Sequence, residues 1–298
     1  DRRLGQEGGV AIHLGSIGMV YHNWGKYDKA IKNHEEALAI NKRLGKEAGV
    51  ATDLNSIGGV YYDWGQYDKA IKYYEEALAI ARKLGQEGSV GIYLNNIGGV
   101  YYDWGQYDKA IEYYKEALAI DRRLGQEGGV AIHLGSIGGV YYAWGQYDKA
   151  IKYYEEALAI DRRLGQEGGV AIRLNNIGNV YHNWGQYDKA IKNFKEALVI
   201  DRRLGQEGGV ATHLGSIGMV YHAWGQYDKA IKYYEEALAI DRRLGQEGGV
   251  AVDLNNIGNV YNDWGQYDKA IKNHEEALAI NKRLGKEAGV ATDLNSIG

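Results

Sequence analysis

The chain repeats itself. The string LNNIGGVYYDWGQYDKAIEYYKEALAI at positions 94–120 returns, nearly unchanged, forty residues later and again forty after that. A period of this size means an array of small units, each too thin to bury its own apolar face and each covering its neighbour. Seven full units occupy 1–40, 41–80, 81–120, 121–160, 161–200, 201–240 and 241–280, and a partial eighth occupies 281–298. The whole chain therefore reads as one repeat domain, although 298 residues would ordinarily allow two cores.

Within the fourth unit, Val130, Leu134, Ile137, Tyr141 and Trp144 recur at spacings of four and three, which is one face of a helix. The stretch GQY at 145–147 interrupts it, and Asp148 marks the start of a second helix with its carboxylate near the positive end of the dipole. Ala150, Ile151, Tyr154, Ala157, Leu158 and Leu164 carry the helical spacing onward until Gly165. Small residues at Gly138, Ala150 and Ala157 allow close helix approach. The second helix has a broad apolar stripe because it must touch its partner and the following unit. The expected class is all-α, a stack of antiparallel helix pairs.

The ordered set Leu134, Ile137-Gly138, Tyr141, Gly145, Tyr147, Ala150, Tyr154 and Ala157 resembles the tetratricopeptide repeat, and the match recurs in every unit. The customary proline after the second helix is missing, and the unit has forty residues instead of thirty-four. Both departures, with LNNIG at 94–98, 174–178 and 254–258, are similar to the repeats of kinesin light chains, spindle-orientation adaptors and sensor ATPases. The resemblance implies a right-handed superhelical solenoid whose first helices line a concave groove. It also implies that Asn96, Asn176 and Asn256 stand where related arrays grip a ligand's main chain.

Where the units differ is as informative as where they agree. Units four and six differ only at Ile132 against Thr212, Gly139 against Met219 and Tyr142 against His222. At about 100° per residue, these positions lie opposite the apolar face of the first helix. Over all units the variable columns are those of 132, 135, 136, 139, 142 and 143, within roughly 80° of one direction. The column of His133 also varies, yet falls near the core edge. Lys149, Lys152 and Glu156 on the second helix hardly change between units, so drift of exposed positions does not account for the pattern.

The stripe is rich in Asn, with Tyr, His and Asp. The expected groove residues are Asn55, Tyr62, Asp63, Asn95, Asn96, Tyr102, Asp103, Tyr142, Asn175, Asn176, Asn179, His182, Asn183, His222, Asn255, Asn256, Asn259, Asn262 and Asp263. An amide side chain both donates and accepts, so a ladder of them suits the backbone of an extended peptide. Asn is a mediocre helix former, so its density on helices calls for a reason. The tyrosines offer stacking surfaces, whereas Tyr73, Tyr113 and Tyr153 on the second helices read as joint filling. From position 47 onward the first helices contain no Lys and several Asp, so the expected partner is a peptide or protein segment, extended or helical, with basic character.

Other chemistries find little footing. A net charge of −4 without a basic stripe argues against nucleic acid. No apolar run is long enough for a membrane span, and neither end resembles a secretory signal; the expected compartment is the cytoplasm. The eight histidines miss the i, i+4 spacing of a helical metal pair: His13 and His22 are nine apart. GQEGG lacks the lysine of a phosphate loop, and no serine sits in a nucleophile motif. No enzyme, cofactor or metal is expected. Two rivals accompany the scaffold reading: a designed or recently amplified array that stacks head to tail through apolar ends such as Val290, Leu294 and Ile297, and the sensor arm of a larger signalling ATPase. A start without Met and a stop in mid-unit fit an excerpt of a longer array or a designed one.

Overall fold

The computed structural model describes residues 2–297, with side chains from Glu7 onward, so Asp1 at the head of the first unit lies outside the described residues. The described residues form fifteen α-helices and no strand. In chain order they are α1 (Arg2–Asn23), α2 (Tyr27–Arg43), α3 (Glu47–Asp63), α4 (Tyr67–Lys83), α5 (Glu87–Asp103), α6 (Tyr107–Leu124), α7 (Glu127–Ala143) and α8 (Tyr147–Arg163). There follow α9 (Glu167–Asn183), α10 (Tyr187–Leu204), α11 (Glu207–Ala223), α12 (Tyr227–Leu244), α13 (Glu247–Asp263), α14 (Tyr267–Arg283) and α15 (Glu287–Ile297). The helices fall into two compact units, Asp1–Lys149 and Ala150–Gly298. In each, odd-numbered and even-numbered helices alternate as hairpins, and each hairpin packs on the next.

The unit three hairpin shows why the chain turns where it does. Val90, Leu94, Ile97 and Tyr101 are buried along one face of α5. After Trp104 the backbone of Gly105 takes φ +74°, a conformation that costs a residue with a Cβ. Its N–H donates to Tyr102 O at 2.9 Å, and Gln106 N–H donates to Tyr101 O at 2.8 Å. This pair of bonds satisfies the last carbonyls of α5 and reverses the chain. The next helix begins at Tyr107, one residue before the Asp, and Gln106 caps it without a side-chain hydrogen bond. Asp108 lies in the first turn, where its charge complements the helix dipole.

Close approach within the hairpin is made by glycine. In the fifth repeat, a Cβ on Gly178 would stand 2.6 Å from the Phe194 ring, which is fully buried. Leu198, Leu214, Ile217, Tyr234, Leu254 and Ile257 continue the same core through α10 to α13.

Two core expectations require correction. Trp144 is 39% exposed, as is Leu164. Both stand at helix ends, where the turn swings them out of the hairpin interface. The tryptophan instead closes the outer edge of a joint. Trp104 packs against Tyr67 of the previous hairpin with ring centroids 6.0 Å apart, and stacks on its own Tyr101 at 6.4 Å. Tyr73 and Tyr113, expected to fill the joint, instead pack inside the hairpin: they stack on Tyr61 and Tyr101 at 5.4 and 5.5 Å. Lys69 and Lys109 lie over the same Tyr61 and Tyr101 rings at 5.0 and 4.9 Å, adding cation–π attraction.

Candidate functional site

The variable stripe of the odd-numbered helices is accessible. Each of the nineteen expected groove residues is half-buried or exposed, and none is buried. The stripe has two edges. Ile132 and Ile172, at its outermost column, are more than half exposed, and Asp63, Asp103, Asn183, Asn259, Asn262 and Asp263 are exposed. Asn96, Asn176, Asn179 and Asn256 are half-buried between them.

Several of these side chains hold one another across the joint between hairpins. His22 donates from Nε2 to Asp63 at 2.7 Å, and His222 donates in the same way to Asp263 at 2.8 Å. Tyr62 donates its hydroxyl to Asp103. Burial, followed by that bond and charge, pushes the Tyr62 phenol well above its ordinary value. Asn96 donates to Asn55 at 2.8 Å. The corresponding place opposite His182 is Ala223, and the His182 Nδ1 is buried without a partner. Burial lowers the His182 pKa, which keeps the ring neutral and able to accept or donate. Tyr102 has Ala143 at the place where Tyr62 has Asp103, and makes a tilted contact with Tyr107 at 6.2 Å.

Asn255 is engaged differently. It donates to Asp293 at 2.6 Å and accepts from His274 Nδ1 at 2.9 Å, which ties it into the joint. Asn95 and Asn175 occupy the equivalent column, and their Oδ1 atoms are buried without partners. The amide ladder thus divides: the column of Asn96, Asn176 and Asn256 lies on the face, and the column of Asn95, Asn175 and Asn255 leans into the joint.

The column of His133, which broke the rule of the stripe, belongs to a joint lock that the sequence reading missed. Its partner is the first residue of the same unit. His133 Nε2 meets Asp121 at 3.1 Å, His213 meets Asp201 at 3.0 Å, and Arg173 Nε donates to Asp161 at 3.2 Å. In two units the second member is an acid and the first an amide: Asn41 donates to Asp53 at 2.7 Å and Asn281 to Asp293 at 2.8 Å. Correlated change at a spacing of twelve between units was the signal available. Surface ion pairs also link helices, such as Arg82–Glu116 at 2.5 Å between α4 and α6 and Arg123–Glu87 at 2.7 Å between α6 and α5; exposed pairs of this kind contribute about 0–1 kcal/mol each.

Among the described residues, no three His, Asp or Glu side chains gather as metal ligands. Nor, among the described residues, is any helix long and apolar enough to cross a membrane.

Among curated proteins, none matches the sequence. Many solved structures share the fold, three of which span different contexts. BtubC (BKLC) from P. vanneervenii is 26% identical, with a TM-score of 0.66 over 74% of this chain and 92% of its own. The STAND signal-transduction ATPase with a tetratricopeptide repeat sensor from Pyrococcus horikoshii is 19% identical, with a TM-score of 0.73 over 94% of this chain and 44% of its own. A Rap protein complexed with Competence and Sporulation Factor is 19% identical, with a TM-score of 0.59 over 93% of this chain and 76% of its own. The tetratricopeptide repeat model matches residues 9–83, 89–163 and 170–243, and a second such model matches 251–284. With its hairpins, its turn glycines and its close-packed small residues matched over most of its length, the chain belongs to the tetratricopeptide repeat family.

Proposed function

We propose that the chain is a non-catalytic scaffold whose odd-numbered helices present a groove for an extended or helical peptide segment of a partner. The observation that carries this reading is the placement of variation. Positions that change between otherwise matching units lie on an accessible stripe of the first helices, while the columns of Lys149 and Glu156 stay constant and that of Lys152 changes once, to Glu112. Amides on that stripe, Asn176 and Asn179 foremost, can donate to and accept from a main chain without reading its side chains. The Rap protein complexed with Competence and Sporulation Factor supports the reading by likeness of fold. Exposed Asp63, Asp103 and Asp263 favour a partner segment with basic character.

The test is capture of a partner by the intact chain, followed by titration of the captured segment against the Asn176→Ala, Asn179→Ala, Asn183→Ala triple variant. Affinity falls at least tenfold while helicity by circular dichroism is unchanged. Undiminished affinity in the triple variant refutes the groove. Tighter binding of acidic than of basic peptides, at both low and high salt, refutes the charge preference.

A further inference from the structure

The lock between the first and thirteenth residues of a unit is replaced by Ala81 and Tyr93 in unit three, and in unit seven it fails between two like charges. In unit seven both places are acids, Asp241 and Asp253. Asp253 is 6% exposed, and its Oδ2 atom is buried with no hydrogen-bond partner. The joint that follows shows what is missing. There Asp293 receives two amide donors, Asn281 at 2.8 Å and Asn255 at 2.6 Å. For Asp253 the first place is held by Asp241 and the second by Gly215. A Cβ on Gly215 would come within 4.0 Å of Asp253 Oδ1, so a side chain there would have reached the carboxylate.

In place of that side chain there is a cleft of about 650 Å³, opening on the stripe face and lined by Gly215, Met219, Asp241, Val252 and Asp253. Lys286 also lines it and makes no ion pair with either acid among the described residues. The second glycine of QEGG gives the acid its seat: a Cβ on Gly249 would lie 1.8 Å from Asp241 Oδ2.

We propose that this cleft is an anchor pocket for a basic side chain, arginine first and lysine second, of the segment that occupies the groove. The proposal rests on the groove reading and names the residue type the groove selects. The chemistry is already displayed one joint type away: at Asp161 the same position takes a guanidinium, that of Arg173, at 3.2 Å. Two carboxylates match the fork of a guanidinium, and charge-assisted bonds of this kind are stronger than neutral ones. Met219 and Val252 on the walls suit the aliphatic stem behind a charged head. The unit two joint is an internal control. Its cleft, about 420 Å³, has the same Gly15 and Met19, but Asp53 is already bonded to Asn41.

The probe is acetyl-Gly-Gly-Arg-Gly-Gly-amide, titrated into the isotopically labelled full chain at pH 8 and followed by NMR. Its citrulline counterpart keeps the shape and removes the charge. Shifts centred on Met219, Val252 and Asp253 are expected, with binding at least tenfold weaker for the citrulline peptide and for Asp253→Asn. The Asp253→Arg variant, which copies the Asp161–Arg173 joint, abolishes probe binding while remaining folded. Equal binding of the two peptides, equal binding by Asp253→Asn, or shifts no larger at this cleft than at the Asp53 cleft overturns the proposal. If a captured partner is held by the groove yet binds Asp253→Asn undiminished, the anchor fails and the groove stands. If the arginine probe binds here while the triple asparagine variant keeps its partner, the groove reading fails alone.

Discussion

Replacing Asp253 by Asn alters the chain's stability in a way that depends on pH, and the structure sets the size. Burial, then the repulsion of Asp241, raises the Asp253 carboxyl from 3.8 to about 7. The groups facing it are Asp241, the Tyr234 hydroxyl and, lining the cleft, Lys286. The folded chain holds the Asp253 proton over a pH range in which the unfolded chain has released it. The Asp253 contribution to stability is therefore fully present at and below about pH 4, is lost as pH rises toward about 7, and then levels off. At 1.36 kcal/mol per unit, the loss is about 4 kcal/mol at most. An amide mimics the protonated acid, so Asp253→Asn matches the wild type near pH 4 and exceeds it by up to about 4 kcal/mol at pH 8. In a repeat array this energy is local, so hydrogen exchange of the α13 amides reads it more directly than a global melt. A difference between variant and wild type that stays flat from pH 4 to 8, or that shrinks as pH rises, refutes the reasoning.

The close approach at Gly178 makes a paired prediction. Gly178→Ala drives a methyl into Phe194 and destabilises by about 1–3 kcal/mol, whereas Gly168→Ala, with nothing within 4 Å, stabilises by up to about 1 kcal/mol; urea denaturation of each single variant separates them. Burial also ranks two large residues of α5 and its cap: Leu94→Ala costs about 2–5 kcal/mol, and Trp104→Ala, being 39% exposed against 0% for Leu94, costs less by the same assay.

The hairpins were legible because their signals are local. Leu134 and Ile137 announce a helix face by spacing, and both are fully buried; the glycines at 105 and 145 announce turns because only positive φ fits there. Trp144 misled because its size and regular spacing imitate a core residue. Its position at the helix end, set by the turn that follows, decides its exposure. The stripe was legible as a direction around the helix. Its division was not: whether an Asn faces outward, like Asn176, or into a joint, like Asn255, depends on what the next hairpin places opposite. For Asn255 that is His274 and Asp293, nineteen and thirty-eight residues away. The exception at His133 had a partner twelve residues back, and helix periodicity alone does not look that far across a turn.

Because most joints are latched by pairs of differing chemistry, the hairpins are not interchangeable parts despite their near-identical wording. Cutting the chain just before the thirteenth residue of a unit and rejoining it elsewhere would set Arg173 against Asn41, or Asp53 against Asp121. Gene rearrangements that preserve the forty-residue frame can therefore still yield chains whose neighbours no longer fit. Sequence order is written into the buried pairs, and the visible repetition conceals it.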